Sequence, residues 1–312
     1  MDVFPDGLVI MKVAVFSDVH ANELAFRQMI EHATNHAQCD RFLFLGDLLG
    51  YGPLPVETLK LFQSILPVTD YVLGNHDELF HRLSQLPVSD ITSLMAVFPG
   101  LSRRSLETLG RNLQEIKSHD GVFGWYFNEL KNGIGQKSKL FDYDLFSVGI
   151  SHGMWAVRDF YIWPSGREEV INTYHIEPLL ALDRSPIISF VGHTHIPWVV
   201  QINKSWEDRV DVAINYDKPI TLESSFYIIN PGSVGNPRDG DPKLSYLVLN
   251  TDPTSRSVIF YRVPYGIDTV SHTMISKTYG MDSVRILNEA PIPDSEQISQ
   301  LNRDEMTRRM TT

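Results

Sequence analysis

Residues 11–35, MKVAVFSDVHANELAFRQMIEHATN, decide the fold. Residues 12–16 form a short apolar run that reads as a strand, and SDVHAN is a polar turn. From residue 23 onward Leu24, Phe26, Met29 and Ile30 recur at helical spacing. Strand, loop and helix therefore follow in order. The same order returns in RFLFLGDLLGYGPLP, where a strand over residues 41–45 meets a glycine-rich loop and a helix over about residues 56–65 begins behind Pro55. DYVLGNHDELF gives it a third time. Three such units in succession predict a parallel or mixed sheet flanked by helices. In sheets of this kind the ligand crevice lies beyond the carboxyl ends of the strands, and the polar residues of all three units fall there.

Further along, SRRSLETLGRNLQEI has Leu106, Leu109, Leu113 and Ile116 at periods of three and four, so residues 85–120 read as a helical insertion covering the site or its flank. Strands are expected around residues 141–150, 186–191, 198–202, 210–215, 226–230, 244–250 and 257–263. A strand-rich second half, antiparallel in part, makes two packed sheets with outer helices the economical architecture. The expected organisation is one domain over residues 11–265, then a C-terminal helix and loosely ordered tail over 266–312. Residues 1–10 read as a short disordered extension or an artefact of start-site choice.

The length of 312 residues allows about two domains and does not exclude one. Hydrophobic content of 43% and charged content of 21% give ample material for a core. The net charge of −11 argues against non-specific binding to nucleic acid or to an anionic membrane, since both need an excess of Lys and Arg. An anionic substrate would need another attraction, and bound metal cations are one candidate. The single cysteine, Cys39, excludes an intramolecular disulfide and a thiolate zinc cage, and suits a reducing cytoplasm. No apolar run approaches the roughly 18 residues that span a bilayer, and no signal-peptide pattern opens the chain. The expectation is a cytoplasmic protein.

Five segments place metal-competent residues just after an expected strand: SDVH (Asp18, His20), GDLLGYGP (Asp47), GNHD (Asn75, His76, Asp77), SHG (His152) and GHTH (His193, His195). Each alone has an ordinary explanation as a turn former, a helix cap or a hydrogen-bonded loop histidine. Together at one sheet edge they point to a metal site. On extended backbone His193 and His195 share a side, with Thr194 pointing away, and Gly192 lets the backbone approach closely. Imidazole, carboxylate and amide ligands without thiolate suit Mn²⁺, Fe²⁺, Zn²⁺ or Ni²⁺, with Mn²⁺ the first choice. Seven candidate ligands exceed one ion that keeps a position open for water, and suffice for two divalent metal ions if a carboxylate is shared. Asp47 is the natural bridge, since it follows the second strand, between two other units that carry ligands. Two ions about 3.5 to 4 Å apart lower the pKa of a bridging water and clamp the oxygens of an in-line displacement at phosphorus. The absence of a G-x-S-x-G elbow or a Walker loop fits that chemistry.

D-x-H, then GD about 29 residues on, GNHD about 28 further, then an H and GHTH: this series resembles the calcineurin-like metallophosphoesterase superfamily over residues 12–197. NPGSVGNPRDGD at residues 230–241 and the GYGP after Asp47 resemble its small prokaryotic phosphodiesterase-like branch and extend the resemblance to about residue 265. The resemblance implies an α/β fold, a four-layered α/β/β/α sandwich of two packed mixed sheets with a dinuclear metal site at the C-terminal edge of the strands. It also implies that Asp18, His20 and His195 hold one ion and Asn75, His152 and His193 the other, with Asp47 between them. His76 would be a non-ligand that bonds the phosphoryl group or protonates the leaving oxygen. Asp77 would orient it, cap the following helix, or do both. The function so implied is hydrolysis of a phosphodiester or activated phosphate ester by a bridging hydroxide. Rival readings keep the centre for a phosphomonoester, a dinucleoside polyphosphate or a phosphoprotein, or make the chain a non-catalytic metal-bearing scaffold. The expected partner is the phosphate-ester substrate, and a homo-oligomer is left open.

On the substrate side, Asn22 is a candidate phosphate donor or a helix cap, and Tyr51 and Trp155 are candidates for stacking an aromatic group or for packing. Arg158, in MWAVRDFYIWP, could clamp a phosphate or pair with Asp159. Arg238, in the Pro/Gly-dense loop, could reach phosphate or form a salt bridge with Asp239 or Asp241.

Overall fold

Alternate residues of the first strand enter different layers of the molecule. In the computed structural model, which describes residues 10–87, 91–98, 101–143, 146–158, 160–162, 168–182, 187–203, 205–223 and 226–294, strand β1 (Lys12–Phe16) sends Val13 and Val15 into a core shared by two sheets. Ala14 and Phe16 go into a second core beneath the helices. A strand buried on both faces reads as a continuous apolar run, which is what VAVF is.

The first sheet has the order β3 (Thr69–Tyr71), β2 (Arg41–Phe44), β1, β11 (Leu244–Asn250), β12 (Ser257–Val263), β9 (Pro219–Thr221). The second has the order β4 (Ser138–Tyr143), β5 (Phe146–Ser151), β6 (Ile187–Val191), β10 (Phe226–Pro231), β7 (Pro197–Ile202), β8 (Arg209–Val212). Both are mixed: β1, β2 and β3 are parallel, as are β5, β6 and β10, and the remaining pairs are antiparallel. Helices α1 (Glu23–Asn35), α2 (Pro55–Ile65), α3 (Asn75–Ser84), α4 (Ile91–Val97), α5 (Arg103–Lys117) and α6 (Asp120–Gly133) contribute to the core that covers the first sheet. α7 (Glu168–Ile171), a π-helical turn at Asn172–Ile176 and α8 (Glu177–Leu180) cover the second. The four layers and two mixed sheets are those the sequence implies. Among the described residues no helix is long and apolar enough to cross a membrane.

The differences from expectation are local. The strand expected over residues 141–150 is a hairpin, β4 and β5, whose two arms carry one continuous β-like pattern through FDYDLFSVGI; residues 144–145 lie outside the described ones. The helical segment expected over 85–120 continues through α6 to Gly133, a stretch whose glycines and aromatics weaken the helical signal. The start of the strand expected at 186, and the segments 1–9 and 295–312 expected to be loose, lie outside the described residues. Beyond residue 265 two helices form, α9 (Ile267–Ser276) and α10 (Met281–Glu289), joined by a small core of Val270, Met274, Tyr279, Val284 and Leu287.

Register brings the strand ends abreast. Phe16 pairs with Phe44 and Phe44 with Tyr71 in the first sheet, while Ser151 pairs with Val191 in the second. The residues that follow these ends meet at one edge.

Candidate metal centre

The loops at this edge are bent hard. Asp18 (φ 57°), His20 (φ 51°), Asp47 (φ 64°), His193 (φ 67°) and His195 (φ 62°) all have left-handed backbone, which costs a non-glycine residue about 1–3 kcal/mol and persists where surrounding structure over-determines it. Here backbone hydrogen bonds do so. The Asp18 and His20 N–H groups donate to the Gly46 and Asp47 carbonyls at 3.0 and 3.1 Å, the Gly192 N–H to the His152 carbonyl at 2.8 Å, and the Gly235 N–H to the Asp18 carbonyl at 2.9 Å. The β alternation expected for GHTH is therefore not the mechanism. Residues 192–196 lie outside any strand, and two left-handed turns at His193 and His195 aim both rings inward. Thr194 is held elsewhere, its Oγ1 accepting from Asn230 Nδ2 at 3.0 Å. Gly192 does meet the expectation of close approach: a Cβ there would run into Ser17 Oγ and come within 3.1 Å of Asp18 Oδ2.

The side chains form one continuous cluster. His195 Nε2 lies 3.1 Å from Asp18 Oδ1 and 3.1 Å from His20 Nε2. His20 Nε2 is 3.7 Å from Asp18 Oδ1 and 3.8 Å from Asp47 Oδ2. Asp47 Oδ2 is 3.3 Å from His152 Nε2, which is in turn 3.0 Å from Asn75 Oδ1 and 3.1 Å from His193 Nδ1. Among the described residues, three overlapping groups have donor atoms close enough to share an ion: Asp18, His20 and His195; His20, Asp47 and His76; Asp47, His152 and His193.

The far nitrogens decide what the near ones offer. His20 Nδ1 faces the Leu49 carbonyl at 3.0 Å, His152 Nδ1 the Leu45 carbonyl at 2.8 Å, and His195 Nδ1 the Asn236 carbonyl at 2.6 Å. A carbonyl only accepts, so each Nδ1 carries a proton, and each ring in its neutral, metal-binding form turns an Nε2 lone pair toward the cluster. His20 and His195 then oppose lone pairs at 3.1 Å, and buried Asp18 Oδ1 makes no hydrogen bond although His195 is near it. Lone pairs converging without a proton between them fit a divalent cation and little else.

The charge states fit as well. Burial works to raise the Asp18 and Asp47 carboxyls, but His195 beside the first and His152 beside the second hold both below the usual carboxylate range. Burial pushes His76 down to about 3 against the pull of Asp47, and lowers His195 to about 4 with Arg238 adding to it. His152 goes the other way, to about 9, because Asp47 overcomes its burial. Ionised acids and mainly neutral imidazoles are the ligand forms that metals take.

The residues expected around the ligands divide. Asp77 does not orient His76. Its carboxylate accepts from the Asp47, Leu48 and Gly74 N–H groups at 2.9, 3.0 and 2.9 Å and from Tyr126 Oη at 2.7 Å, so it clamps the Asp47 loop to the start of α3. Burial and the charge of Asp47 push its carboxyl up, and these donors oppose them. His76 joins the cluster, with its N–H donating to Asp47 Oδ1 at 2.8 Å and its buried Nδ1 without a hydrogen-bond partner. Asn22 is a cap and a tether: Oδ1 accepts from the Ala25 N–H, and Nδ2 donates to the Gly235 carbonyl and Tyr265 Oη. Arg158 is engaged away from the ligands, with Glu78 at 2.6 Å and with the Ile134 and Gln136 carbonyls, while Asp159 lies outside the described residues. Trp155 packs beneath β5 at Gly149. Arg238 does reach the site. Asp239 is taken by Arg262 and Asp241 by Lys243, and Arg238 instead bonds Tyr161 and feels the field of Asp18.

Three further contributors are not among the residues singled out from the sequence. Tyr161 stacks on His193 at 3.8 Å between ring centroids, Asn236 receives the His195 bond through its carbonyl, and Arg104 of α5 lies over the Tyr51 ring. Asn236 lies in the NPGSVGNPRDGD loop and Tyr161 in the MWAVRDFYIWP segment, but neither stretch says where these side chains turn, and only the folded chain brings all three in. Gly74 shows how tightly the cluster is built. A Cβ there would overlap Asp47 Oδ1 and lie 2.6 Å from the Asp47 nitrogen. Gly74→Ala is expected to weaken metal binding by about 10- to 100-fold, the usual scale for disturbing a group that orients a ligand; a metal titration of the folded variant checks it, and unchanged affinity would contradict the placement of Asp47.

Comparison with known proteins places these residues in context. A family model described as the calcineurin-like phosphoesterase superfamily domain matches residues 11–254. An uncharacterized protein of Methanocaldococcus jannaschii is 26% identical over 256 residues, 82% of this chain and 88% of its own length. A symmetrical bis(5'-nucleosyl)-tetraphosphatase of Methylococcus capsulatus is 30% identical over 116 residues, which are 37% of this chain and 36% of that enzyme's length. The alignment thus spans only about a third of that relative. Among solved structures, a metallophosphoesterase from Sphaerobacter thermophilus superposes with TM-score 0.63 at 26% identity, covering 89% of this chain and 98% of that one.

Proposed function

The chain belongs to the calcineurin-like phosphoesterase superfamily and is a metal-dependent hydrolase of phosphoester bonds, and we propose that it attacks a phosphodiester or activated phosphate ester at a centre of two divalent metal ions, Mn²⁺ first among them. The observation that carries this reading is the position of Asp47. It belongs both to the group with His20 and His76 and to the group with His152 and His193, which is the place of a shared carboxylate. Asp18, His20 and His195 would then hold one ion and Asn75, His152 and His193 the other. Two ions bound there would lower the pKa of a water so that hydroxide is available near neutral pH, and would stabilise charge on the phosphoryl oxygens.

The protein's own part is orientation and proton supply. His20, His152 and His195 are fixed in one tautomer by backbone carbonyls, so their lone pairs need no reorganisation. His76, neutral because burial keeps it so, retains one N–H to donate to a phosphoryl oxygen or to the leaving group. Arg238 stands beside it as a phosphate-binding cation.

Protein purified without added metal tests the reading. About two equivalents of divalent metal are expected, with hydrolysis of bis(p-nitrophenyl) phosphate that chelation removes and Mn²⁺ restores. Turnover that survives chelation would overturn the centre. A second reading, hydrolysis of a dinucleoside polyphosphate, draws support from the tetraphosphatase relative, and a substrate panel separates the two.

A further inference from the structure

Tyr51 follows the Asp47 loop on left-handed backbone (φ 51°). Its buried ring lies 4.6 Å from the His20 ring and 4.7 Å from the His76 ring. Two guanidinium groups converge on the same tyrosine: Arg104 from α5 at 4.3 Å from the ring centroid, and Arg238 from the loop after β10 at 5.9 Å. Cations gathered this way repel one another and lose hydration. Burial brings the Arg104 guanidinium down to about 10, and the charge of Arg238 adds to that effect.

Neither has a carboxylate of its own among the described residues. Arg104 bonds two neutral groups, Ser283 Oγ at 3.3 Å and Asn236 Oδ1 at 3.4 Å. Arg238 bonds the Tyr161 hydroxyl, and the carboxylate whose field reaches it is Asp18, a candidate metal ligand. In a chain of net charge −11, carboxylates are plentiful and none is spent here. Filling the centre with divalent ions would widen the imbalance. The seven-ligand set contains only two acids, Asp18 and Asp47, so the ions outweigh them and Asp18 is no longer free to balance Arg238. A simple phosphodiester brings one negative charge, and the centre can meet it without Arg104.

We infer that Arg104 and Arg238, gathered over Tyr51 beside the metal ligands, form a subsite for a second phosphate, so that the preferred substrates carry two or more linked phosphates. The inference rests on the metallophosphoesterase reading and extends it to substrate class. Guanidinium is suited to the task because it pairs two donors with two phosphoryl oxygens. In the reaction one water is consumed: its hydroxide bonds to the attacked phosphorus, the phosphorus–oxygen bond to the neighbouring phosphate breaks, and the remaining proton goes to solvent or to the departing oxygen.

The test compares kcat/KM for diadenosine tetraphosphate and bis(p-nitrophenyl) phosphate in the Mn²⁺-loaded enzyme and in Arg104→Met, Arg104→Lys and Arg238→Gln. The wild type should favour the tetraphosphate. Arg104→Met should lower the ratio of the two values at least tenfold, Arg238→Gln should lower it too, and Arg104→Lys, which keeps the charge, should lower it less than Arg104→Met. A ratio in Arg104→Met within twofold of wild type would overturn the subsite. Calorimetric binding of ADP against AMP provides a reading independent of turnover. Wild type should prefer ADP, and Arg104→Met should lose that preference. If no phosphoester is hydrolysed while this pattern holds, the catalytic reading fails and the anion site stands; equal binding of ADP and AMP by wild type removes the anion site whatever the turnover.

Discussion

Asp47→Asn is expected to lower kcat on a phosphodiester by on the order of 10³-fold or more, about 4 kcal/mol of transition-state stabilisation. The substitution is nearly isosteric, so the size of the effect isolates charge. Asp47 Oδ1 accepts from the His76 N–H, a bond that an asparagine carbonyl can keep. Oδ2 is the atom near His20 and His152, and there the variant would present either a neutral oxygen or an NH₂ group that binds no cation. Metal content should fall with activity, while circular dichroism and the thermal midpoint should stay close to wild type. Activity within tenfold of wild type would show that Asp47 is not shared between ions.

The second large effect is on stability. Asp77→Ala removes an acceptor used by three backbone N–H groups and the Tyr126 hydroxyl, all of them buried. Unsatisfied buried donors cost about 1–3 kcal/mol each before relaxation, so even with partial relaxation the loss is expected to be about 3 kcal/mol or more. Chemical denaturation should show a loss of that order, together with lower activity, because the Asp47 and Leu48 nitrogens lose their anchor. Were Asp77 a mere helper to the His76 ring, the variant would unfold like wild type and differ in kcat alone. Denaturation therefore separates the two roles that its place in GNHD leaves open.

What the sequence makes legible follows from the range of the interaction. Apolar alternation and turn chemistry are local, so the three opening units and the outline of two sheets can be read directly, and candidate ligands can be picked out by chemical type and place after each strand. The direction of a ring is not local. His193 and His195 reach the cluster through left-handed backbone, which alternation along an ideal strand does not contain. The partner of a long side chain is not local either. Arg158 is drawn to Glu78 and to the carbonyls after α6, and Arg104, an ordinary polar position on an amphipathic helix, lands on Tyr51. The adjacency of Asp77 to His76 in the motif suggests a partnership, whereas the first turn of α3 points that carboxylate back at Gly74 and Asp47.

The pairing of β1 with β11 has a temporal side. β1 carries Asp18 and His20 at its end, yet its antiparallel neighbour is not made until residues 244–250. The Asp18 loop is closed by Ser233 and Gly235, and His195 is steadied by the Asn236 carbonyl. A ribosome synthesising this chain from its N-terminus releases every candidate ligand before it releases the segments that fix them in place. Until then β1 is an open sheet edge and the histidines are loose chelators. Metal capture in the final geometry would thus come late in biogenesis, since it waits on long-range strand pairing of the kind that folds slowly.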